Sequence, residues 1–138
     1  MSDLLKNKEI VLGVCGGIAA YKAVAFTRHL VKAGSRVRVV MTRAAERFVG
    51  PMTFQALSGH PVWTRMFDRR AGEAFPHIAW AESANAVVII PATGNIIGKI
   101  ANGIADDALT TLLLAVSAPV LVCPSMNVRM YENPRVQK

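Results

Sequence analysis

An amide, two thioethers and a guanidinium crowd into Pro124-Ser125-Met126-Asn127-Val128-Arg129-Met130-Tyr131, directly after the apolar run Ala118 to Cys123. Open α/β sheets bind ligands just beyond the carboxyl ends of their strands. Asn127, with Met126 and Met130 beside it, is therefore a candidate for holding a polar ligand group on an apolar bed. Three further segments carry chemistry of the same kind. Gly13-Val14-Cys15-Gly16-Gly17-Ile18 is a glycine-rich stretch between a strand-like run and a helix-like one, where backbone N–H groups can meet an anion. Pro91-Ala92-Thr93-Gly94-Asn95 follows the strongest strand signal and combines small residues, which leave room for a flat ligand, with two hydrogen-bonding side chains. His77 follows Pro76 at the start of a short helix, where the positive end of the helix dipole favours the neutral base form.

Each of these has a plainer reading. The glycine stretch is not G-x-G-x-x-G or a Walker loop and serves equally as a tight strand-to-helix turn. Thr93 or Asn95 can cap the next helix, and Asp106-Asp107 suits a helix N-terminus without any ligand. His29 and His60 read as surface or turn residues. The second strand ends in Met41-Thr42-Arg43, where an NAD site places Asp or Glu on the ribose. That argues against NAD and leaves open NADP through Arg43, or a mononucleotide whose phosphate meets Thr42 and the glycine loop.

The elements that position these residues alternate. Strands are expected at Glu9 to Val14, Arg36 to Met41, Pro61 to Trp63, Ala86 to Ile90 (ended by Pro91) and Pro119 to Cys123. Helices are expected at Ile18 to Ala33 with Gly34 beyond its end, Ala44 to Val49, Pro51 to Leu57, His77 to Ser83, Asn95 to Ala101 and Asp106 to Ala115. Arg65 to Pro76 reads as a polar loop. Alternating strands and helices imply an α/β fold with a doubly wound parallel sheet, a flavodoxin- or Rossmann-like three-layer sandwich. The near-continuous apolar strands imply helices on both faces.

At 138 residues one domain is expected. The chain is 52% hydrophobic, which argues against disorder. No apolar run is long enough for a membrane span, and the N-terminus lacks a signal-peptide core, so a cytoplasmic protein is expected. Cys15 and Cys123 close apolar runs, have no metal-ligand spacing and read as buried small hydrophobes. The net charge is +7, with nine Lys or Arg between Arg28 and Arg70. They are scattered and carry no nucleic-acid motif, so an anionic small ligand or an acidic partner explains them as well.

Four stretches line up with one family: Gly-Gly-Ile-Ala-Ala-Tyr-Lys, Pro-His-Ile, Pro-Ala-Thr-Gly-Asn with Gly-Ile-Ala-Asp-Asp, and Pro-Ser-Met-Asn-Val-Arg-Met-Tyr. From about Glu9 to Lys138 the chain resembles the homo-oligomeric flavin-containing cysteine decarboxylases, most of all their phosphopantothenoylcysteine decarboxylase domains. The last motif and the Pro-His pair are specific; the glycine loop alone is not. The resemblance implies FMN as cofactor, contacted by Gly16, Gly17, Ile18, Thr42, Thr93, Gly94 and Asn95. It implies His77 as the base, working on FMN of its own or a neighbouring subunit, and Asn127 on the substrate carboxylate beside Met126 and Met130. It also implies homotrimers or dodecamers and a small-molecule substrate, with no metal, membrane or nucleic acid.

The reaction so implied is oxidation of the carbon bearing the thiol, loss of CO₂ from the thioaldehyde, and return of the reducing equivalents. In the family the last step uses a cysteine on a substrate clamp beyond the Asn motif. The chain stops at Lys138 without it, so a single flavoprotein domain over residues 1–138 is expected, lacking the clamp, from a longer bifunctional protein with a fused phosphopantothenoylcysteine synthetase. The alternatives are a peptidyl-cysteine decarboxylase, a silent FMN-binding regulatory subunit, and, from other classes, an NADP- or nucleic-acid-binding module.

Overall fold

The computed structural model describes residues 2–66 and 76–137, with side chains for 4–66 and 79–137. Four parallel strands form one sheet in the order β2-β1-β3-β4: β1 Glu9–Val14, β2 Arg36–Met41, β3 Ala86–Ala92 and β4 Val120–Pro124. Around them run α1 (Ser2–Leu5), α2 (Ala20–Lys32), α3 (Pro51–Ser58), α4 (Pro76–Ser83), α5 (Gly94–Asn102), α6 (Ala108–Ala115), α7 (Val128–Tyr131) and α8 (Pro134–Gln137). None is long and apolar enough to cross a membrane among the described residues.

Side chains alternate across a strand, and here the alternation builds two cores. Val11, Val87 and Ile89 join Trp80, Ile96, Leu109 and Leu112 on one face. Ile10, Leu12, Val14 and Val88 join Ala20, Ala23, Leu30 and Phe54 on the other. The three-layer, doubly wound α/β sandwich is thus built as expected, with α2 and α3 on one side and α4, α5 and α6 on the other. Helix ends follow local chemistry: Gly34 (φ +91°), beyond α2, and Gly59 (φ +78°), ending α3, take the left-handed conformation that glycine tolerates best.

Several elements differ from expectation. Pro91 does not end β3; the strand continues to Ala92, and its pairing with β4 shifts register between Ile89 and Ala92. Proline has no N–H to donate, so the ladder is interrupted there and resumes with Ala92 opposite Pro124. Pro61 to Trp63 is a single bridge of Trp63 to Val40 rather than a strand. Ala44 to Val49 holds only a 3₁₀ turn, Ala45–Arg47. The run before the Asn motif is not buried: among the described residues β4 pairs with β3 alone, and Leu121 is 59% exposed. Of the two thiols, Cys15 is buried and Cys123 only half-buried. The loop expected from Arg65 to Pro76 falls mostly outside the described residues.

Candidate active site

Loops from all four strand ends meet at the carboxyl edge of the sheet and enclose a cavity of ≈ 980 Å³. Pockets for drug-sized ligands run about 300–1,000 Å³, so this one has room for a nucleotide cofactor and a small substrate.

The first loop, Gly16 to Ala19, leads into α2. A β-carbon on Gly16 would sit 2.4 Å from that of Ala44, so only glycine lets the loops after β1 and β2 approach this closely. α2 starts with no capping side chain and no acidic residue in its first turn. The helices begun by Thr93, Asp107 and Asn127 are all capped by those side chains. Among the described residues α2 is thus the long helix whose start borders the cavity without a side-chain cap, and free N–H groups at a helix start can meet an anion.

In the second loop the Thr42 hydroxyl accepts from the Ala45 N–H at 3.1 Å. Arg43 also lines the cavity and has no ion pair among the described residues. In the third, Thr93 Oγ1 accepts from the Ile96 N–H at 3.3 Å, so Thr93 does cap α5, and Gly94 and Asn95 follow it on the cavity wall. In the fourth, Asn127 Oδ1 accepts from the Arg129 N–H at 2.8 Å. With its oxygen engaged, the Asn127 amide has its two N–H donors left over among the described residues. The last two loops touch: a β-carbon on Gly94 would lie 3.6 Å from Met130 Cε and 3.8 Å from Met126 Sδ.

The remaining walls were not marked by the sequence. Thr64, Arg65 and Met66 close one side, brought in where Trp63 bridges β2. On the other, Lys99 Nζ lies 3.0 and 2.9 Å from the two carboxylate oxygens of Asp106 and holds that carboxyl below its usual range. Asp107 accepts from the Thr110 N–H at 2.8 Å in a capping box. Its position before an apolar run told of the cap but not of the cavity it also lines. Arg43 stands on the β2 side and Asp107 on the α5–α6 side, where Asp106 is paired with Lys99, which favours the anionic end of a ligand at the glycine loop.

Beneath this floor, burial pushes the Cys15 thiol up to about 12; Thr93 hydrogen bonds partly oppose the rise and the Asp107 charge adds to it. A thiol so protonated is no nucleophile at neutral pH. All the residues singled out from the sequence as ligand contacts (Gly16, Gly17, Ile18, Thr42, Thr93, Gly94, Asn95, Met126, Asn127 and Met130) line this one cavity. The side chain of His77 lies outside the described residues; its backbone is the second position of α4.

A parallel three-layer α/β sheet with a glycine loop, an uncapped helix start and an apolar cavity beyond its strand ends defines a nucleotide-binding domain of the doubly wound class. More particularly, the chain belongs to the flavoprotein family, whose model matches residues 1–138. It is 53% identical over 135 residues to the coenzyme A biosynthesis bifunctional protein CoaBC of Bacillus subtilis, covering 98% of this chain and 33% of that protein. The CoaBC of Escherichia coli strain K12 is 45% identical over 133 residues, 96% of this chain and 33% of that one. The chain spans about a third of the length of the curated relatives it matches. Among solved structures it resembles the FMN-dependent cysteine decarboxylase SpaF, at 36% identity and a TM-score of 0.88 over 96% of this chain and 77% of that one. It also resembles a PPC decarboxylase variant complexed with pantothenoylaminoethenethiol, at 27% identity and a TM-score of 0.77 over 96% of this chain and 74% of the other.

Proposed function

We propose that this chain is an FMN-dependent decarboxylase domain that takes 4′-phosphopantothenoylcysteine toward 4′-phosphopantetheine in coenzyme A biosynthesis. The observation that carries the reading is that one cavity is lined both by an uncapped helix start, at Gly17 to Ala19, and by Asn127, whose amide N–H donors are left over. The likeness to the CoaBC proteins, at 53% identity to one of them, supports the substrate class and a fused synthetase part in the whole protein.

The residues present fit FMN. The loop N–H groups of Gly16, Gly17 and Ile18, with Thr42, suit its phosphate. Ile96, Ala108, Met126 and Met130 offer an apolar wall for a flat ring next to Thr93, Gly94 and Asn95. When bound, FMN supplies the two-electron acceptor that the thiol-bearing carbon requires. His77 moves the thiol proton near neutrality. Asn127 orients the substrate carboxylate with a neutral amide; a fixed positive charge would hold the ionised ground state and oppose departure of CO₂. Met126 and Met130 keep water from the breaking bond. Flavoprotein membership favours this reading over NADP, although Arg43 stands where it can help hold either cofactor's phosphate.

The whole enzyme is a cytoplasmic homotrimer or dodecamer in which His77 serves a site shared between subunits. Ile18 and Met52, 80% and 69% exposed, and Tyr21 and Phe48 leave apolar surface on the loops and helix starts after β1 and β2, which self-association would cover. A second reading is decarboxylation of a peptidyl cysteine, since the likeness to SpaF, an FMN-dependent cysteine decarboxylase, supports cysteine decarboxylation without fixing what carries the cysteine. The test is the visible spectrum of purified protein followed by product mass spectrometry with phosphopantothenoylcysteine and with a cysteine-bearing peptide. Bound flavin and loss of CO₂ from the phosphorylated compound are expected. A colourless protein that cannot be reconstituted with FMN sinks both readings, and turnover of the peptide alone selects the second.

A further inference from the structure

The only two tryptophans of the chain touch each other. The rings of Trp63 and Trp80 have centroids 5.4 Å apart and planes at 76°, an edge-to-face pair, and both are buried. Neither flavin binding nor the proton handling assigned above needs them, yet each ring is tied to a different functional part.

Trp63 is fixed to β2 through its backbone: its N–H donates to the Val39 carbonyl at 2.9 Å, and its carbonyl accepts from the Met41 N–H at 2.9 Å. Its indole N–H donates to the carbonyl of Arg65, which holds the Thr64 to Met66 wall of the cavity. Arg65 is held a second time, through its guanidinium 3.3 Å from Glu46 on the 3₁₀ turn that follows Thr42. Trp80 lies on α4, three residues after His77. Its indole N–H is buried and makes no hydrogen bond among the described residues, while the guanidinium of Arg38 lies 5.4 Å from its ring centroid. Burying an unpartnered N–H is unfavourable, and a smaller apolar side chain would avoid it. What the large indole supplies instead is its ring, an edge-to-face partner for Trp63 and a strong cation-binding face for Arg38.

We propose that Trp63 and Trp80 are positioning residues for the decarboxylation: the pair couples the cavity wall at Arg65 to helix α4 and so sets where His77 stands. Three residues of helix are about 4.5 Å, less than one turn, so a shift of the Trp80 ring passes almost undiminished to the helix backbone at His77. Misplacement of a reacting group by about 1 Å can cost about 100-fold in rate. The proposal rests on the decarboxylase reading, in which His77 handles the thiol proton.

The experiment compares flavin content, kcat and KM for CO₂ release in the flavin-loaded protein and in Trp80→Leu, Trp80→Phe and Trp63→Phe. Trp80→Leu is expected to keep its flavin and lose about tenfold or more in kcat with KM within about twofold, the signature of lost transition-state geometry. Trp80→Phe retains an aromatic edge and is expected to recover most of the rate. Trp63→Phe removes the N–H to Arg65 and is expected to show a smaller fall of the same kind. Unchanged kcat in Trp80→Leu overturns the proposal, as does parallel loss of flavin and rate in both Trp80 variants. Should Trp80→Leu fail to fold, an unimpaired kcat in Trp63→Phe overturns it. Absence of CO₂ release from the unsubstituted protein would instead remove the decarboxylase reading beneath it.

Discussion

A β-carbon placed on Gly16 would lie 2.4 Å from the β-carbon of Ala44 and 2.7 Å from its carbonyl carbon. The second contact is with backbone, so the clash cannot be relieved by a rotamer change. The loops after β1 and β2 would have to part, and these loops line the cavity where the flavin phosphate is proposed to sit. Gly16→Ala is expected to destabilise the fold by about 1–3 kcal/mol, as overpacking does, and to weaken flavin binding. Gly17 is different: its nearest neighbour to such a carbon is Pro91 Cγ at 4.0 Å. Gly17→Ala is expected to leave thermal stability within about 0.5 kcal/mol while still weakening flavin, because its methyl stands on the cavity wall. Thermal unfolding and flavin titration of the two variants check the contrast.

Cys15 offers a pH test. Burial raises its thiol from 9.0 to about 12 in the folded chain. A raised folded-state pKa contributes stability that is complete below the unfolded value and is lost as pH climbs through the folded one. The wild-type chain is therefore expected to lose more stability between pH 9.0 and about 12 than Cys15→Ala does, measured as the difference in denaturation midpoints across that window. Alkylation gives a second readout. At mildly alkaline pH the half-buried Cys123 should be modified in the folded protein, and Cys15 only after unfolding.

Most of the sheet was legible because its signals are local. Apolar residues, near-continuous in β1 and interleaved with Arg36 and Arg38 in β2, mark these strands, and Gly34 marks a helix end where a left-handed residue is required. Exposure of β4 was not legible, since Val120 and Leu121 carry the same apolar signal whether a strand is central or at an edge. α7 and α8 were missed because four residues are too few to show a helical period. For the site, Gly16, Thr42, Thr93 and Asn127 stand at or just beyond strand ends, which made them candidates, while their proposed roles came from the family resemblance. The Thr64 to Met66 wall could not, because it reaches the cavity only through the long-range bridge of Trp63 to Val40. The Lys99–Asp106 pair escaped for a similar reason: Gly103, with φ +66°, turns the chain at the end of α5 and brings Asp106, beyond the helix, back to Lys99 within it.

His77 is assigned the thiol proton, and a positioned acid or base contributes about 10²–10⁴-fold to rate. His77→Asn is expected to keep its flavin spectrum and lose at least about 100-fold in CO₂ release. Full activity in that variant, followed by trapping the released CO₂, would take His77 out of the mechanism.

Asn127 has two tasks that one substitution can separate. Its oxygen accepts from the Arg129 N–H at 2.8 Å, starting α7, and its amide N–H groups are assigned to the substrate carboxylate. An aspartate keeps the first task, since Asp caps helices about as well as Asn. It abolishes the second, because an ionised carboxylate has no donor and repels the substrate's own charge. Asn127→Asp is thus expected to fold and to hold flavin as the wild type does. Losing a hydrogen bond to a charged group costs about 1.5–3 kcal/mol, so substrate affinity should fall at least tenfold, and like-charge repulsion adds to the loss. Asn127→Ala is expected to lose both tasks, with α7 loosened by about 1 kcal/mol as well. Substrate titration followed by flavin absorbance, together with thermal unfolding, distinguishes the two variants. Wild-type substrate affinity in Asn127→Asp would leave Asn127 as a helix cap and nothing more.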